Sequence, residues 1–261
     1  MVQRLWKKKR PLREVKQLKG EMKIEESVFD RRSLFTLYEF INKGVLASVD
    51  YPISTGKEAD VYRATTGEKF RKESEFTAVK IFRIETASFH RMQDYIYADP
   101  RFLRVKHVKR AVIYAWAQKE FKNLQICQEA GVRAPKPFAF SKNILLMEFL
   151  GEGGVPDSTL KELGSENPEK DLETILDYVR RLYRHGLVHA DLSEFNVLMH
   201  GYPPVPYLID IGQGVLTKHP KAEEFLRRDV ENILNYFSGY GVRKDPEKVL
   251  RWVRGSATAA L

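Results

Sequence analysis

Cysteine is almost absent. Cys127 is the only one in 261 residues, which excludes an intramolecular disulfide and any cysteine-rich metal site, and fits a reducing cytoplasm. A lone thiol on a helix reads as a small buried hydrophobe. Long apolar runs are missing too. None approaches the roughly 20 residues that cross a bilayer, so no membrane association is expected. The first residues are rich in Arg and Lys without an apolar core, so no secretory signal is expected. No internal repeat or low-complexity tract interrupts the chain.

What is abundant is positive charge. Lys and Arg number 44 against 35 Asp and Glu, a net charge of +9. That favours an anionic partner such as a nucleotide, RNA or an acidic protein surface, and charge alone does not choose among them. The excess gathers at Arg4, Lys7, Lys8, Lys9, Arg10, Arg13, Lys16, Lys19 and Lys23, and again between Arg101 and Lys122. Either run also reads as a solvated face. A 43% hydrophobic and 30% charged composition is that of a soluble globular protein, long enough for one large domain or two lobes.

Along the chain, 1–44 reads as a basic arm followed by one or two accessory helices ending at Gly44. From 45 to 150 the pattern is mainly strands, at 45–53, 61–65, 76–82, 138–140 and 144–149. A long helix at about 103–130, closed by Gly131, lies between the third and fourth. Residues 83–102 show no clean period and read as loop. Gly151, Gly153 and Gly154 mark a boundary, and 151–261 is mainly helical, at 157–164, 170–186, 220–238 and 246–254. Five strands with one helix, then mostly helices, predicts a two-lobed α+β protein. In the long helix Glu120 falls within an apolar stripe of Ile113, Trp116, Ala117, Leu124 and Cys127. A carboxylate there needs a cationic or hydrogen-bonding partner.

The exception to the helical half is a hairpin. Strands at 195–199 and 205–209 flank the turn His200-Gly201-Tyr202-Pro203-Pro204. Antiparallel pairing brings Asn196 near Asp210, with Asp191 on the loop just before the first strand. A few oxygen ligands, with water and phosphate completing the shell, suit Mg²⁺. In phosphoryl transfer a metal bridges phosphate oxygens while an uncoordinated Asp orients the attacking group. Asp210 and Asn196 are therefore assigned to metal, and Asp191 to the base or orienting role. Singly, each also reads as a turn former or cap; it is their joint spacing that points to a site. His189 reads as a structural histidine bracing the loop against backbone.

His189-x-Asp191-Leu192-x-x-x-Asn196 resembles the catalytic loop of protein kinases, and Asp210-Ile211-Gly212 resembles their metal-binding Asp-Phe-Gly. Thr77-Ala78-Val79-Lys80 is similar to the strand bearing the phosphate-contacting lysine, which makes Glu120 the partner of Lys80. Three departures stand out. The loop Ser54-Thr55-Gly56-Lys57-Glu58-Ala59-Asp60-Val61 has one glycine where kinases have three, Ala190 replaces an arginine, and no Ala-Pro-Glu follows Gly212. With Asp99-Pro100-Arg101-Phe102 and Lys119-Glu120-Phe121-Lys122-Asn123-Leu124, they resemble the RIO family of atypical serine/threonine kinases, type 1 subfamily. The short ends point to an archaeal-type member.

The resemblance implies a two-lobed kinase-like fold without an activation loop or peptide-binding platform. It implies ATP with Mg²⁺ or Mn²⁺ between the lobes. Adenine would meet backbone groups of Met147, Glu148, Phe149 and Leu150. Ala78 would leave room for the ring, and Ile53 and Val61 would cover it. Ser54, Gly56 and Lys57 would approach the phosphates, and Lys80, held by Glu120, would ion-pair with them. Catalysis would rest on Asp191, Asp210 and Lys80, with a phospho-aspartate at Asp210 and serine autophosphorylation. Ser88 is weighed as acceptor against a loop serine with no role. The implied activity is an ATPase switch in cytoplasmic maturation of the small ribosomal subunit, with the pre-subunit particle or its rRNA, and no DNA, as partner. A conventional kinase acting on separate proteins and an inactive nucleotide-binding scaffold are the alternatives.

Overall fold

The computed structural model describes residues 30–85 and 88–255, so the basic arm expected at 1–23 lies outside the described residues. Helix α1 (Arg31–Asn42) begins where the Asp30 side chain accepts a hydrogen bond from Ser33 N at 2.6 Å. It ends at Gly44, whose φ of +65° few other residues adopt. Strands β1 (Leu46–Thr55), β2 (Ala59–Thr66), β3 (Phe76–Phe82), β4 (Pro137–Ser141) and β5 (Ile144–Glu148) form an antiparallel sheet in the order β1-β2-β3-β5-β4. Alternation along β3 divides its side chains. Val79 and Ile81 pack with Leu37 and Phe40 of α1, while Phe82 packs with the opposite core.

Between β3 and β4 the structure departs from the sequence reading. Part of 83–102, expected as loop, is helix α2 (Phe89–Tyr97), followed by a 3₁₀ turn at Pro100–Phe102 that the Asp99 side chain caps. Met92 and Ile96, four residues apart, are fully buried, and the Tyr95 ring meets Trp116 edge-on and stacks on Phe225. Tertiary burial, rather than a visible period, holds this short helix. Helix α3 (Lys109–Glu129) starts later than the expected Leu103. Val108 is extended at φ −119°, and Leu103 is exposed with nothing to bury against. Cys127 on α3 is fully buried, as a packing residue.

The remaining chain is mainly helical: α4 (Leu160–Leu163), α5 (Pro168–Arg184), α6 (Ala222–Ser238) and α7 (Pro246–Arg254). Leu172, Ile175, Leu176, Val179 and Leu182 of α5 recur at helical spacing and are buried. A ribbon of β6 (Gly151–Glu152) and β7 (Val155–Pro156) joins this half to the sheet. Set into it are β8 (Leu187–Val188), the hairpin β9 (Val197–His200) and β10 (Val205–Leu208), and β11 (Val215–Leu216), which pairs with β8. The fold is α+β and kinase-like. Among the described residues only the two-residue β11 stands between the 3₁₀ turn at Ile211–Gln213 and α6, and no activation loop or peptide-binding platform is built there. Among the described residues no helix is long and apolar enough to cross a membrane.

Candidate active site

Lys80 is the centre of the site. Its ammonium donates to Glu120 Oε1 and Oε2 at 2.8 and 2.9 Å and to Asp210 Oδ1 at 2.8 Å. Lys80 and Glu120 are buried; the Asp210 side chain is half exposed. Burial alone would pull the lysine down, but the carboxylates of Asp210 and Glu120 outweigh it and hold the ammonium well above its ordinary range. Lys80 in turn holds the Asp210 carboxyl below the usual carboxylate range. The partner that Glu120 required inside its apolar stripe is thus found on the neighbouring strand.

Helix α3 grips the loop after Asp210 at further points. Fully buried Lys119 donates to the carbonyls of Gly212, at 2.7 Å, and Gly214, and Asn123 donates to Ile211 O at 2.9 Å and Gly214 O at 3.1 Å. Burial pushes the Lys119 ammonium down to about 7. The packing over Gly212 is close: a Cβ there would lie 3.0 Å from Glu120 Oε2 and Trp116 Nε1, so those side chains would have to give way. Asp210 itself sits in the left-handed region at φ 56°, ψ 54°. A non-glycine residue there stores about 1–3 kcal/mol of strain, which surrounding contacts must over-determine.

The catalytic-type loop is held from behind by α6. Ala190 is also left-handed, at φ 66°. Its N–H donates to Asp229 Oδ2 at 2.7 Å, the N–H of Leu192 donates to Oδ1 at 2.9 Å, and Arg228 donates to the Ala190 carbonyl. Asp229 is buried, which pushes its carboxyl up to about 7. These bonds fix the backbone on either side of Asp191, whose carboxylate is half-buried. Burial, then the charge of Asp210, raises its pKa. Gln213 Nε2 donates to Asp191 Oδ2 at 2.8 Å. Asn196 Nδ2 donates to the Asp191 carbonyl at 2.7 Å, which leaves its amide oxygen to point elsewhere. Ile209 N donates to Asn196 O at 2.9 Å, so the hairpin brings Asn196 beside Asp210 as its pairing predicted.

His189 is a bracing residue. It is buried, and Nε2 lies 3.2 Å from Ile209 O. Burial lowers its pKa from 6.5 to about 4, so the ring is neutral at pH 7. Between pH 6.5 and 4 only the unfolded chain takes up the proton, so stability falls on acidification, by up to about 3 kcal/mol at this residue. His189→Gln, which keeps an N–H donor in reach, is expected to show a shallower loss of urea-unfolding stability across that range. Equal slopes would contradict a neutral buried imidazole.

Ser54, Val61, Ala78, Lys80 and Met147 lie on one sheet face, and Glu148, opposite Thr77, lies on the other. Val61 pairs with Lys80 and with Ser54 in register, and Ala78 pairs with Met147. Directly opposed residues share a face. Ile53 is half-buried at the sheet edge, and Gly56 and Lys57 form the exposed turn between β1 and β2. Leu150 is buried just after β5. The Glu148 N–H is already bonded to Lys136 O at 2.8 Å, which removes one backbone donor from that segment. Sequence reasoning missed Lys119, Asn123, Gln213 and Asp229. Asp229 had a visible signal, being four residues from both Phe225 and Ile233 on a buried stripe, as Glu120 is on its own.

Asn196 pairs with Ile209, the residue before Asp210, so Asn196 and Asp210, both oxygen donors, stand at the same end of the hairpin. Among the described residues no group of three or more His, Cys, Asp or Glu could hold a metal alone. That donor set fits Mg²⁺, which takes few protein ligands and keeps water and phosphate oxygens in its shell.

A RIO domain model matches residues 60–249. The RIO-type serine/threonine-protein kinase Rio1 of Haloferax volcanii is 43% identical over 235 residues, 90% of this chain and 79% of that protein. Its namesake in Thermoplasma acidophilum is 39% identical over 194 residues, 74% of this chain and 98% of that protein. Among solved structures, the Rio2 kinase of Chaetomium thermophilum, as an ADP/Mg²⁺-phosphoaspartate complex, superposes with a TM-score of 0.65 at 22% identity over 87% of this chain and 67% of its own. That likeness is one of fold.

Proposed function

The chain belongs to the RIO family of serine/threonine-protein kinases, in its Rio1 branch, and on that footing we propose that it transfers the γ-phosphoryl group of ATP through the site at Lys80, Asp191 and Asp210. The observation that carries the reading is the single ammonium of Lys80 spanning a buried glutamate and the exposed carboxylate of Asp210. Glu120 would keep Lys80 aimed into a cleft between 45–150 and 151–261, where it pairs with phosphate oxygens. Ile53, Val61, Ala78, Met147 and Leu150 would enclose adenine, Glu148 would offer its carbonyl, and Ser54, Gly56 and Lys57 would approach the phosphates. Asp210 and Asn196 would hold Mg²⁺, which supplies charge neutralisation at the transferring phosphate. Mn²⁺ meets the same oxygen donors.

The transfer we favour goes first to Asp210. Its carboxylate oxygen attacks the γ-phosphorus, the bond from that phosphorus to the bridging oxygen breaks, and ADP leaves. A water, or a serine hydroxyl of this chain, then attacks the acyl phosphate. Asp191 takes the proton, which its raised pKa suits it to do. The phosphoaspartate in the fold neighbour's complex is in keeping with this order. Ser88, half-buried at the start of α2, is a candidate acceptor. The direct passage from Gln213 to α6 favours an ATPase switch with autophosphorylation over a kinase that docks separate protein substrates. The test is incubation with ATP and Mg²⁺. Phosphate release and labelled protein are expected, both lost with EDTA; neither appearing would refute the reading.

The net charge of +9 supports an RNA-rich partner, and we assign the protein to small-subunit ribosome maturation in the cytoplasm. Binding to pre-small-subunit particles should weaken steeply as salt rises, since released counterions drive phosphate contacts. Salt-insensitive binding would argue against an rRNA contact.

A further inference from the structure

Asp191 needs more than a position on its loop. A general base acts only if one carboxylate oxygen faces the proton it removes. Among the described residues the hydrogen bonds to its carboxylate fall on one oxygen. Oδ2 accepts from Gln213 Nε2 at 2.8 Å and, at 3.5 Å, from Asn196 Nδ2. The geometry points to Gln213 as the residue that sets the rotation of this carboxylate, presenting Oδ1 to the cleft, with Tyr95 setting Gln213 in turn.

The arrangement has a direction. A glutamine amide reads equally well either way round unless a neighbour distinguishes its ends. The Tyr95 hydroxyl lies 3.3 Å from Gln213 Oε1, and as a donor there it fixes Nε2 toward Asp191. Tyr95 itself is locked, edge-on to Trp116 at 5.9 Å, stacked on Phe225 at 5.8 Å, and under the Lys119 ammonium at 5.6 Å. Gln213 closes the 3₁₀ turn that begins after Asp210, and that turn is held by Lys119 and Asn123. The donor to the base therefore rides on the same clamped loop as the proposed phosphate acceptor. Helix α2 reaches the site at both ends, because Arg91, one turn before Tyr95, pairs with Glu58 of the β1–β2 turn at 2.5 Å.

This inference rests on the reading of Asp191 as base. Gln213→Leu keeps the volume and removes the donor. It should lower kcat by about 10- to 100-fold, the range found for groups that orient a functional ligand, with the KM for ATP and the thermal midpoint unchanged. Tyr95→Phe, which removes only a hydroxyl, should cause a smaller loss of the same kind and no further loss on top of Gln213→Leu. Tyr95→Phe also keeps the test decisive if Gln213→Leu folds poorly. A merely structural role for the turn would raise the KM for ATP together with the fall in kcat, and that result overturns the inference. So does wild-type turnover in Gln213→Leu while Asp191→Ala is inactive. Wild-type turnover in Asp191→Ala would instead remove the premise itself.

Discussion

Asp191→Ala is expected to reduce ATP turnover by about 10²- to 10⁴-fold, the usual contribution of a positioned base. The reason is local. Asp191 is the half-buried carboxylate whose pKa burial and Asp210 raise, and whose backbone neighbours are pinned by Asp229. Alanine removes the proton acceptor without disturbing those backbone bonds, so ATP affinity and unfolding midpoint should stay near wild type. A matched measurement of phosphate release and nucleotide binding separates the two. Intact release would show that the proton leaves by another route.

Glu120→Ala should destabilise the fold and disable the site together. Removing one partner of a buried ion pair leaves the other charge uncompensated, at a cost of about 3–5 kcal/mol. Lys80 keeps Asp210 as a partner, which places the effect toward the lower end. A shift in thermal midpoint on the order of 10 °C follows for a chain of this size. The catalytic loss has a separate cause. Without Glu120 the Lys80 ammonium settles wholly on Asp210, masking the carboxylate and no longer aimed at phosphate. Glu120→Gln retains a hydrogen-bond acceptor and should destabilise less while still impairing turnover. An unchanged melting curve for Glu120→Ala would contradict the buried pair.

Both predictions concern residues whose spacing is visible in the chain. Asp191, Asn196 and Asp210 converge because a hairpin must close between them, and Glu120 stands out as a carboxylate in an apolar stripe. The supporting residues were hidden for identifiable reasons. Helix α3 is buried on more than one side, through Val112, Ala115, Lys119 and Asn123 as well as the stripe through Trp116 and Leu124. A single-stripe reading therefore leaves Lys119 looking like a solvated cation. Helix α2 buries only Met92 and Ile96, and no side chain caps its start, so neither period nor boundary shows. Gln213 meets Asp191 and also Tyr95, which is 118 residues away. Long-range packing of this kind is not encoded in local pattern.

The most direct measurement is mass spectrometry of the protein after a limited turnover of ATP with Mg²⁺, with and without hydroxylamine, which cleaves acyl phosphates and spares phosphoserine. The account predicts a phosphate on the peptide containing Asp210 that hydroxylamine removes. It also predicts that this phosphate accumulates in Asp191→Ala, where transfer onward is slowed. Phosphate found solely on hydroxylamine-resistant serine, with none trapped at Asp210 even in that variant, would contradict transfer through the aspartate.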